Sequence, residues 1–264
     1  MKKIVALVLA VVVFGLVCLM LPNHDMLQDI YAVLEKETDA RGDNVRIVVI
    51  DSGVNSNLLL TDSSINFSKD GTADDIVDHG TPVFNIIKKL APNAEIFSLK
   101  VVNKSGIVSM NALVRALEWC MENNIDIINM SLSFSMYDEN VENLCAVLID
   151  SGVIIVSSIS NEKSLVDYPS MYKGVIAVGY TENYNLYTND TSVIFNIPHS
   201  VKTINNNGSL VEYKGNSILA PIVTGILADI LSDENNQYRK GDSNVELVRE
   251  VKDFLDRSNI HAVK

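Results

Sequence analysis

The feature that most constrains the fold of this 264-residue chain is an alternation of apolar, strand-like segments with helical segments from Val45 onward. Five segments are short and rich in β-branched residues, which is typical of strands covered on both faces. They read VRIVVID, AEIFSLKVV, IDIINMSLS, VIIVSSIS and GVIAVG. Most of the intervening segments have the apolar repeat of helices. This order predicts an α/β fold, in which a mostly parallel central sheet lies between two layers of helices.

Residues 1–21 differ in kind from the rest of the chain. Lys2 and Lys3 precede an apolar run from Ile4 to Leu21, which is close to the ~20 residues that span a bilayer. The lysines place this end in the cytoplasm and the remainder of the chain outside. Because no small-residue cleavage site follows, we expect an uncleaved signal anchor, with a removed signal peptide as the alternative. Residues 22–44 are polar and predict a linker that carries one short helix.

The net charge bears on the class of partner, and the cysteines bear on disulfide formation. The formal net charge is −12 at pH 7, and nucleic acid binding requires a basic surface, so nucleic acid is not expected as a partner. Cys120 and Cys145 lie in apolar helical patterns, where free buried thiols are common. They could pair as a disulfide outside the cell, but we expect two free thiols in the core.

Four polar residues stand at the ends of predicted strands or at the starts of helices, where parallel sheets form ligand sites. Asp51 ends the first strand, and Asn161 follows the strand VIIVSSIS. His79 precedes a glycine at the start of an apolar helix, and Ser217 begins the helix SILAPIVTG. Asp51, Ser217 and Asn161 each have an ordinary structural explanation, since Asp and Ser are common helix caps and Asn is common in turns. Ser217 is therefore either a helix cap or a nucleophile.

The order Asp, His, Asn and Ser is that of subtilisin-type serine hydrolases, and the surrounding motifs resemble those of the subtilase family. VVIDSGV is similar to the family's aspartate motif, DHGTPV to its histidine motif and GNSILAPIVTG to its serine motif. INMSLS resembles the family's substrate-binding strand. The resemblance covers about residues 45–232 and implies a subtilisin-like peptidase domain over residues 45–264.

The resemblance implies a role for each candidate. Ser217 would be the nucleophile, His79 its general base, and Asp51 the group that orients the imidazole. Asn161 would donate to the oxyanion. An extended peptide or protein substrate would lie between two segments of the chain. The implied substrate-binding residues are Leu99, Lys100, Val101, Ser131, Leu132, Ser133 and Phe134.

Several positions depart from the family's pattern and predict a crowded site. Ser133 and Phe134 replace two glycines that usually open the specificity pocket, and Phe84 adds bulk near the base. Ser160 replaces the usual glycine before the oxyanion Asn, and Asn216 replaces the usual Thr before the Ser. These departures support an alternative, in which the chain is a catalytically inactive subtilase-fold protein that binds peptides or a partner.

The expected function is that of a serine endopeptidase anchored in the cell membrane, with its catalytic domain on the outer side. Residues 22–44 are too short for the inhibitory prodomain of secreted subtilases, and compact subtilases are often dedicated leader or propeptide processing enzymes.

The sequence indicates no certain cofactor, and the resemblance alone makes calcium possible, because calcium sites are common in the family. The acidic segment before His79 has no recognisable ligand spacing, so we expect it to be a solvated loop and predict no metal site. Its carboxylates are Asp62, Asp70, Asp74, Asp75 and Asp78.

Overall fold

A computed structural model describes residues 26–37, 41–58, 61, 63–162, 167–180, 190–196, 200–233, 244–258 and 260. The predicted signal anchor, residues 1–21, lies outside the described residues, so that expectation stays a prediction. Within the described ranges, no helix is long and apolar enough to cross a membrane.

The central sheet has seven strands in the order β2-β3-β1-β4-β5-β6-β7, and each neighbouring pair is parallel. Its strands are β1 (Arg46–Asp51), β2 (Ser63–Asn66), β3 (Glu95–Lys100), β4 (Ile127–Met130), β5 (Ile154–Ser158), β6 (Ile176–Tyr180) and β7 (Ser192–Phe195). The first strand is interior, because β3 pairs along one side of it and β4 along the other. Its last residue, Asp51, is paired with Lys100.

Helices cover both faces of this sheet. They are α1 (Met26–Glu37), α2 (Gly80–Leu90), α3 (Met110–Glu122), α4 (Glu139–Asp150), α5 (Asn216–Ser232) and α6 (Asn244–Arg257). Alternate residues of β1 face opposite sides, as the pleat requires. Ile47 and Val49 pack in one core with α1, α2, α5 and α6, whereas Val48 and Ile50 pack in a second core with α3 and α4. The predicted α/β/α architecture with a mostly parallel sheet is confirmed.

The helix α1 packs into the first core. Leu27, Ile30 and Leu34 recur at helical spacing and are fully buried. At its outer side, the guanidinium of Arg41 lies 4.9 Å from the centroid of the Tyr31 ring. These residues, which the sequence assigned to a linker segment, therefore pack as part of the domain.

A two-stranded antiparallel hairpin lies outside the central sheet and leads directly into α5. Its strands are β8 (Ser200–Ile204) and β9 (Leu210–Lys214). In the second core, Cys120 and Cys145 are free and buried, as the helical patterns predict. Burial raises the pKa of the Cys145 thiol to about 12, so it stays protonated at neutral pH.

Candidate active site

Asp51 and His79 form a hydrogen-bonded pair at the carboxyl edge of the sheet. Asp51 ends β1, is paired with Lys100 of β3 and is 1% exposed. Its Oδ1 lies 2.8 Å from Nδ1 of His79 and accepts a further hydrogen bond from the N–H of Ser52 at 2.7 Å. An ionised carboxylate requires Nδ1 to be the donor. The imidazole proton is therefore on Nδ1, and Nε2 can accept a proton.

Two glycines allow the loop after Asp51 and the turn at His79 to approach each other. Gly80 lies so close to Gly53 that a Cβ at residue 80 would be 2.1 Å from the carbonyl oxygen of Gly53. Gly53 itself has φ +98°, which side-chain-bearing residues rarely adopt. A larger residue at position 80 would separate the two backbone segments and with them Asp51 and His79.

The buried carboxylate of Asp75 connects the loop after Asp51 to the first turn of α2. Asp75 is 4% exposed, and its Oδ1 accepts a hydrogen bond from the Ser52 hydroxyl at 2.8 Å. Its Oδ2 accepts from the N–H of Thr81 in the first turn of α2 at 2.8 Å, which caps the helix that begins after His79. The predicted solvated loop is therefore wrong for Asp75. Its position four residues before His79 is the one sequence signal that could have indicated this role.

Ser217 is not the N-cap of its helix. The cap residue of α5 is Gly215, and Ser217 is the second helical residue, half-buried. The N–H of Asn216, the first residue of the helix, has no acceptor within the helix and donates at 2.9 Å to Oδ1 of Asn161, not to Ser217. The capping explanation for Ser217 therefore fails, and its hydroxyl is left at a helix N-terminus, where developing negative charge is stabilised.

Two sets of contacts bring the starts of α2 and α5 to the same edge of the sheet. The two helices pack side by side in the first core. The hairpin also links them, because Asp78 accepts hydrogen bonds from the N–H of Asn206 at 2.7 Å and from the hydroxyl of Tyr213 at 3.2 Å. Asp78 directly precedes His79, and Tyr213 lies four residues before Ser217. Asp78 is therefore a structural anchor and not part of a solvated loop.

Asn161, the predicted oxyanion donor, lies in the loop after β5 and is exposed. Its Oδ1 accepts from Asn216, so its Nδ2 is the end of the amide that can donate. The structure thus brings Asn161 next to the residue that precedes Ser217.

A cleft of about 310 Å³ opens beside the Asp51–His79 pair. One wall is the turn that joins Val102 to Val108, which form an antiparallel β-bridge. The other wall is the segment after β4. Residues lining the two walls are Val102, Gly106, Val108, Ser131, Leu132 and Ser133. The predicted contribution of Ser131, Leu132 and Ser133 to the cleft agrees with this arrangement.

The structure does not place Leu99, Lys100 and Val101 at the cleft. All three are fully buried, and β3 is paired on both sides, so they present no free edge to a peptide. The N–H of Val101 donates to the carbonyl of Asp51 at 2.9 Å. Lys100 instead donates from Nζ to the carbonyl of Asp74 at 2.7 Å and thereby fixes the acidic loop. In the described structure Val102, Gly106 and Val108 line the cleft on this side, and whether a peptide binds there stays a prediction.

The two aromatic residues that predicted a crowded site differ in position. Phe84 is fully buried in the first core, so it does not add bulk to the cleft. Phe134 follows the cleft residue Ser133 and is half-buried. Its backbone exchanges two hydrogen bonds of 2.9 Å with Tyr168, and the two ring centroids lie 6.3 Å apart. Of the two aromatic residues, Phe134 is therefore the one next to the cleft lining.

The acidic side chains of the described residues do not form a metal site. Among the described residues, no group of three or more His, Cys, Asp or Glu side chains is arranged to bind a metal ion. The carboxylate of Asp75 is occupied by protein donors. The buried ammonium of Lys100, at the end of β3, lies 3.9 Å from Oδ2 of Asp70. The described carboxylates of this loop do not fit a calcium ion, and Asp62 lies outside the described residues.

Comparison with known proteins identifies the family. The sequence profile described as "Subtilase family" matches residues 42–258, which is most of the chain. The chain belongs to the subtilase family. Within it, the chain is 29% identical to "Subtilisin NAT" of Bacillus subtilis subsp. natto over 219 residues, which cover 72% of this chain and 56% of that protein. It is 27% identical to "Thermostable alkaline protease" of Halalkalibacterium halodurans over 220 residues, which cover 75% of this chain and 61% of that protein.

The chain thus spans little more than half the length of these curated subtilases. A solved structure, "Crystal structure of a cold adapted subtilisin-like serine proteinase", matches with a TM-score of 0.65 and 24% identity. The match covers 81% of this chain and 82% of that one. At this identity it establishes the subtilisin-like fold, not the activity.

The electrostatics of the Asp51–His79 pair raise the pH at which His79 becomes neutral. The charge of Asp51 raises the pKa of His79 from 6.5 to about 8, although burial opposes the rise. The hydrogen bond to Asp51 and the charges of Asp75 and Asp78 add to it. A general base must be neutral, so a raised pKa extends the inactive, protonated form to higher pH. At pH 7 we expect about one tenth of the maximal kcat/KM for a peptide substrate.

The check is a profile of kcat/KM from about pH 6 to pH 10. Half-maximal activity near pH 8 is expected, and Asp78→Asn should move the midpoint to lower pH because one raising charge is lost. A midpoint at or below the ordinary histidine pKa of 6.5 would contradict this electrostatic description.

Proposed function

We propose that this subtilase is a serine endopeptidase in which Asp51, His79 and Ser217 form the catalytic triad. The observation that carries the proposal is the Asp51–His79 hydrogen bond of 2.8 Å at the edge of a cleft, with Ser217 at the start of the helix packed beside that of His79. Family membership supports it, since the curated relatives carry the names of subtilisins and proteases.

In the proposed reaction, Ser217 Oγ attacks the scissile carbonyl carbon while His79 Nε2 takes the hydroxyl proton. Asp51 stabilises the imidazolium that forms and keeps the other ring proton on Nδ1. The carbonyl oxygen becomes an oxyanion, which Asn161 Nδ2 and the N–H of Ser217 stabilise. His79 then returns the proton to the leaving amine, and water releases the acyl group by the reverse sequence.

Substrate recognition would depend mainly on the peptide backbone. The turn 102–108 and the segment 131–133 form two walls of one cleft, and an extended peptide between them could pair with both. Pairing of this kind provides affinity with little demand on sequence, so side-chain selectivity must come from individual residues such as Phe134.

The second candidate function is that of a non-catalytic subtilase that binds peptides in the same cleft. The observation that favours it is the bulky Phe134 beside Ser133, where the family usually has glycine. A mass-spectrometric assay with a peptide library separates the two. The proposed endopeptidase should cut internal peptide bonds, whereas a folded protein that binds peptides and leaves them intact would support the second candidate.

We further propose that Phe134 restricts the residue before the cut bond to small side chains, which fits a dedicated processing enzyme better than a general protease. The family usually has glycine at this position, so Phe134 adds an aromatic ring next to Ser133. The backbone and ring contacts with Tyr168 fix the position of that ring. Phe134→Gly should therefore raise kcat/KM for substrates with Leu or Phe at this position by about tenfold or more.

Tyr137→Gly is the matched control, since it removes a ring from the same aromatic cluster but not the residue next to Ser133. Its cleavage profile should equal that of the wild type. Efficient wild-type cleavage after Phe, Tyr or Leu would count against both the restriction and the processing role.

A further inference from the structure

Asn216, the residue before Ser217, makes two hydrogen bonds to the loop that contains Asn161. Its backbone N–H donates to Oδ1 of Asn161 at 2.9 Å, and its side-chain Nδ2 donates to the carbonyl oxygen of Ser160 at 3.0 Å. The residue is fully buried, although its side chain is a polar amide. A buried amide costs free energy unless it is hydrogen-bonded. The bond to Ser160 satisfies Nδ2, whereas Oδ1 has no partner among the described residues.

Two glycines make room for this contact. A Cβ at Gly179 of β6 would lie 3.4 Å from Cγ of Asn216 and 2.2 Å from Cδ1 of Ile159. A Cβ at Gly215 would lie 3.1 Å from Oδ1 of Asn161, and Gly215 has φ +116°. The backbone around the start of α5 thus allows both amides to approach closely.

The two bonds have different effects on Asn161. The backbone bond occupies Oδ1 and so decides which end of the amide is the acceptor, leaving Nδ2 as the donor. The side-chain bond fixes the carbonyl of the preceding residue, Ser160, and therefore limits movement of the loop backbone. Together they define both the orientation and the position of the amide relative to Ser217.

We propose that Asn216 is a positioning residue for the oxyanion donor, which acts by fixing Ser160 and Asn161 against the start of the nucleophile helix. The inference rests on the proposed function, because it requires Asn161 to donate to an oxyanion. A donor stabilises the oxyanion only when it is already in place, and displacements near 1 Å can cost about 10²-fold in rate. Asn216 and Ser160 both depart from the usual family residues, so the two substitutions would be coupled.

The test is a double-mutant cycle with a peptide substrate. Asn161→Ala should lower kcat by about 10²–10³-fold. Asn216→Ala keeps the backbone bond and loses the side-chain bond, so it should lower kcat by about tenfold with KM changed less than about twofold. In the Asn161→Ala background, Asn216→Ala should change kcat by less than about twofold, because no donor remains to be positioned.

Two further variants separate positioning from stability. Asn216→Leu has a similar volume without the donor and should give the same loss of kcat as Asn216→Ala. Asn123→Ala is the matched control, since Asn123 Nδ2 donates to the carbonyl of Trp119 at 2.7 Å near the end of α3. It loses the same kind of bond and should leave kcat unchanged.

The double-mutant cycle separates failure of the positioning role of Asn216 from failure of the oxyanion role of Asn161. Equal losses from Asn216→Ala with and without Asn161 would overturn the positioning role and leave the proposed function intact, as would an unchanged kcat in Asn216→Ala. If Asn161→Ala has wild-type kcat, the oxyanion role of Asn161 fails and the inference fails with it.

Discussion

Ser217→Ala is expected to lower kcat for a peptide substrate by on the order of 10⁶-fold while the domain stays folded. Without the hydroxyl no acyl-enzyme can form, and only substrate binding and the oxyanion donors remain. The helix should tolerate the change, because its N-cap is Gly215 and its first N–H is satisfied by Asn161. The free energy of unfolding should therefore change by less than about 1 kcal/mol, which a thermal or urea transition measures.

Ser232→Ala provides the control at the other end of the same helix. Ser232 Oγ donates to the carbonyl of Asp229 at 2.8 Å and accepts from the N–H of Gly42 at 3.1 Å. Its loss should lower stability by about 1 kcal/mol and leave kcat unchanged. If Ser217→Ala kept wild-type activity, or lost stability instead of activity, Ser217 would be a structural residue.

Asp51→Asn should lower kcat by about 10⁴-fold with little change in structure. The amide has nearly the same shape, but it can donate to Nδ1 of His79 and so favours the tautomer with the proton on Nε2. That tautomer cannot accept the proton of Ser217. Because Asp51 is also the main cause of the raised pKa of His79, the residual activity should have a lower pH midpoint than the wild type.

Asp126→Asn is the matched control, because Asp126 precedes β4 and contacts the opposite end of β1 from Asp51. Asp126 Oδ2 accepts the N–H of Arg46 at 2.9 Å, which an amide oxygen can still do, so activity should persist. Wild-type kcat in Asp51→Asn would show that the Asp51–His79 pair has no part in the reaction.

Much of the fold could be predicted from the sequence because the central strands are buried on both faces. The strands β1, β3, β4, β5 and β6 each lie in one of the five strand-like segments, in which apolar, β-branched residues predominate. The helices that follow them carry a clear apolar repeat. The same logic placed Asp51, His79, Asn161 and Ser217 near strand ends and helix starts.

The hairpin β8–β9 could not be predicted in the same way. Its second strand is mostly exposed, so no apolar pattern marks it. Its position depends on the hydrogen bonds that Asp78 accepts from Asn206 and Tyr213, which are far away in the sequence. Contacts of this kind follow from the tertiary fold and leave no local signal.

The predicted substrate-binding strand and the acidic loop show a second limit of prediction from sequence. An apolar run does not reveal where strand pairing ends, so Leu99 and Val101 looked available although the sheet encloses them. In the sequence, the residues next to Asp75 are of the same polar and acidic types as those next to the other carboxylates of its loop. What distinguishes it is the pair of donors, Ser52 and Thr81, that surround its carboxylate in the folded chain.

The most direct test of the catalytic account is reaction of the folded wild-type domain with a fluorophosphonate probe, because only an activated serine forms a stable adduct. Mass spectrometry should find one adduct per chain, on Ser217, that is absent from Ser217→Ala and much reduced in His79→Ala. Labelling should increase toward pH 9 as His79 loses its proton. A wild-type protein that shows a cooperative thermal transition but takes up no probe between about pH 6 and pH 9 would contradict the account.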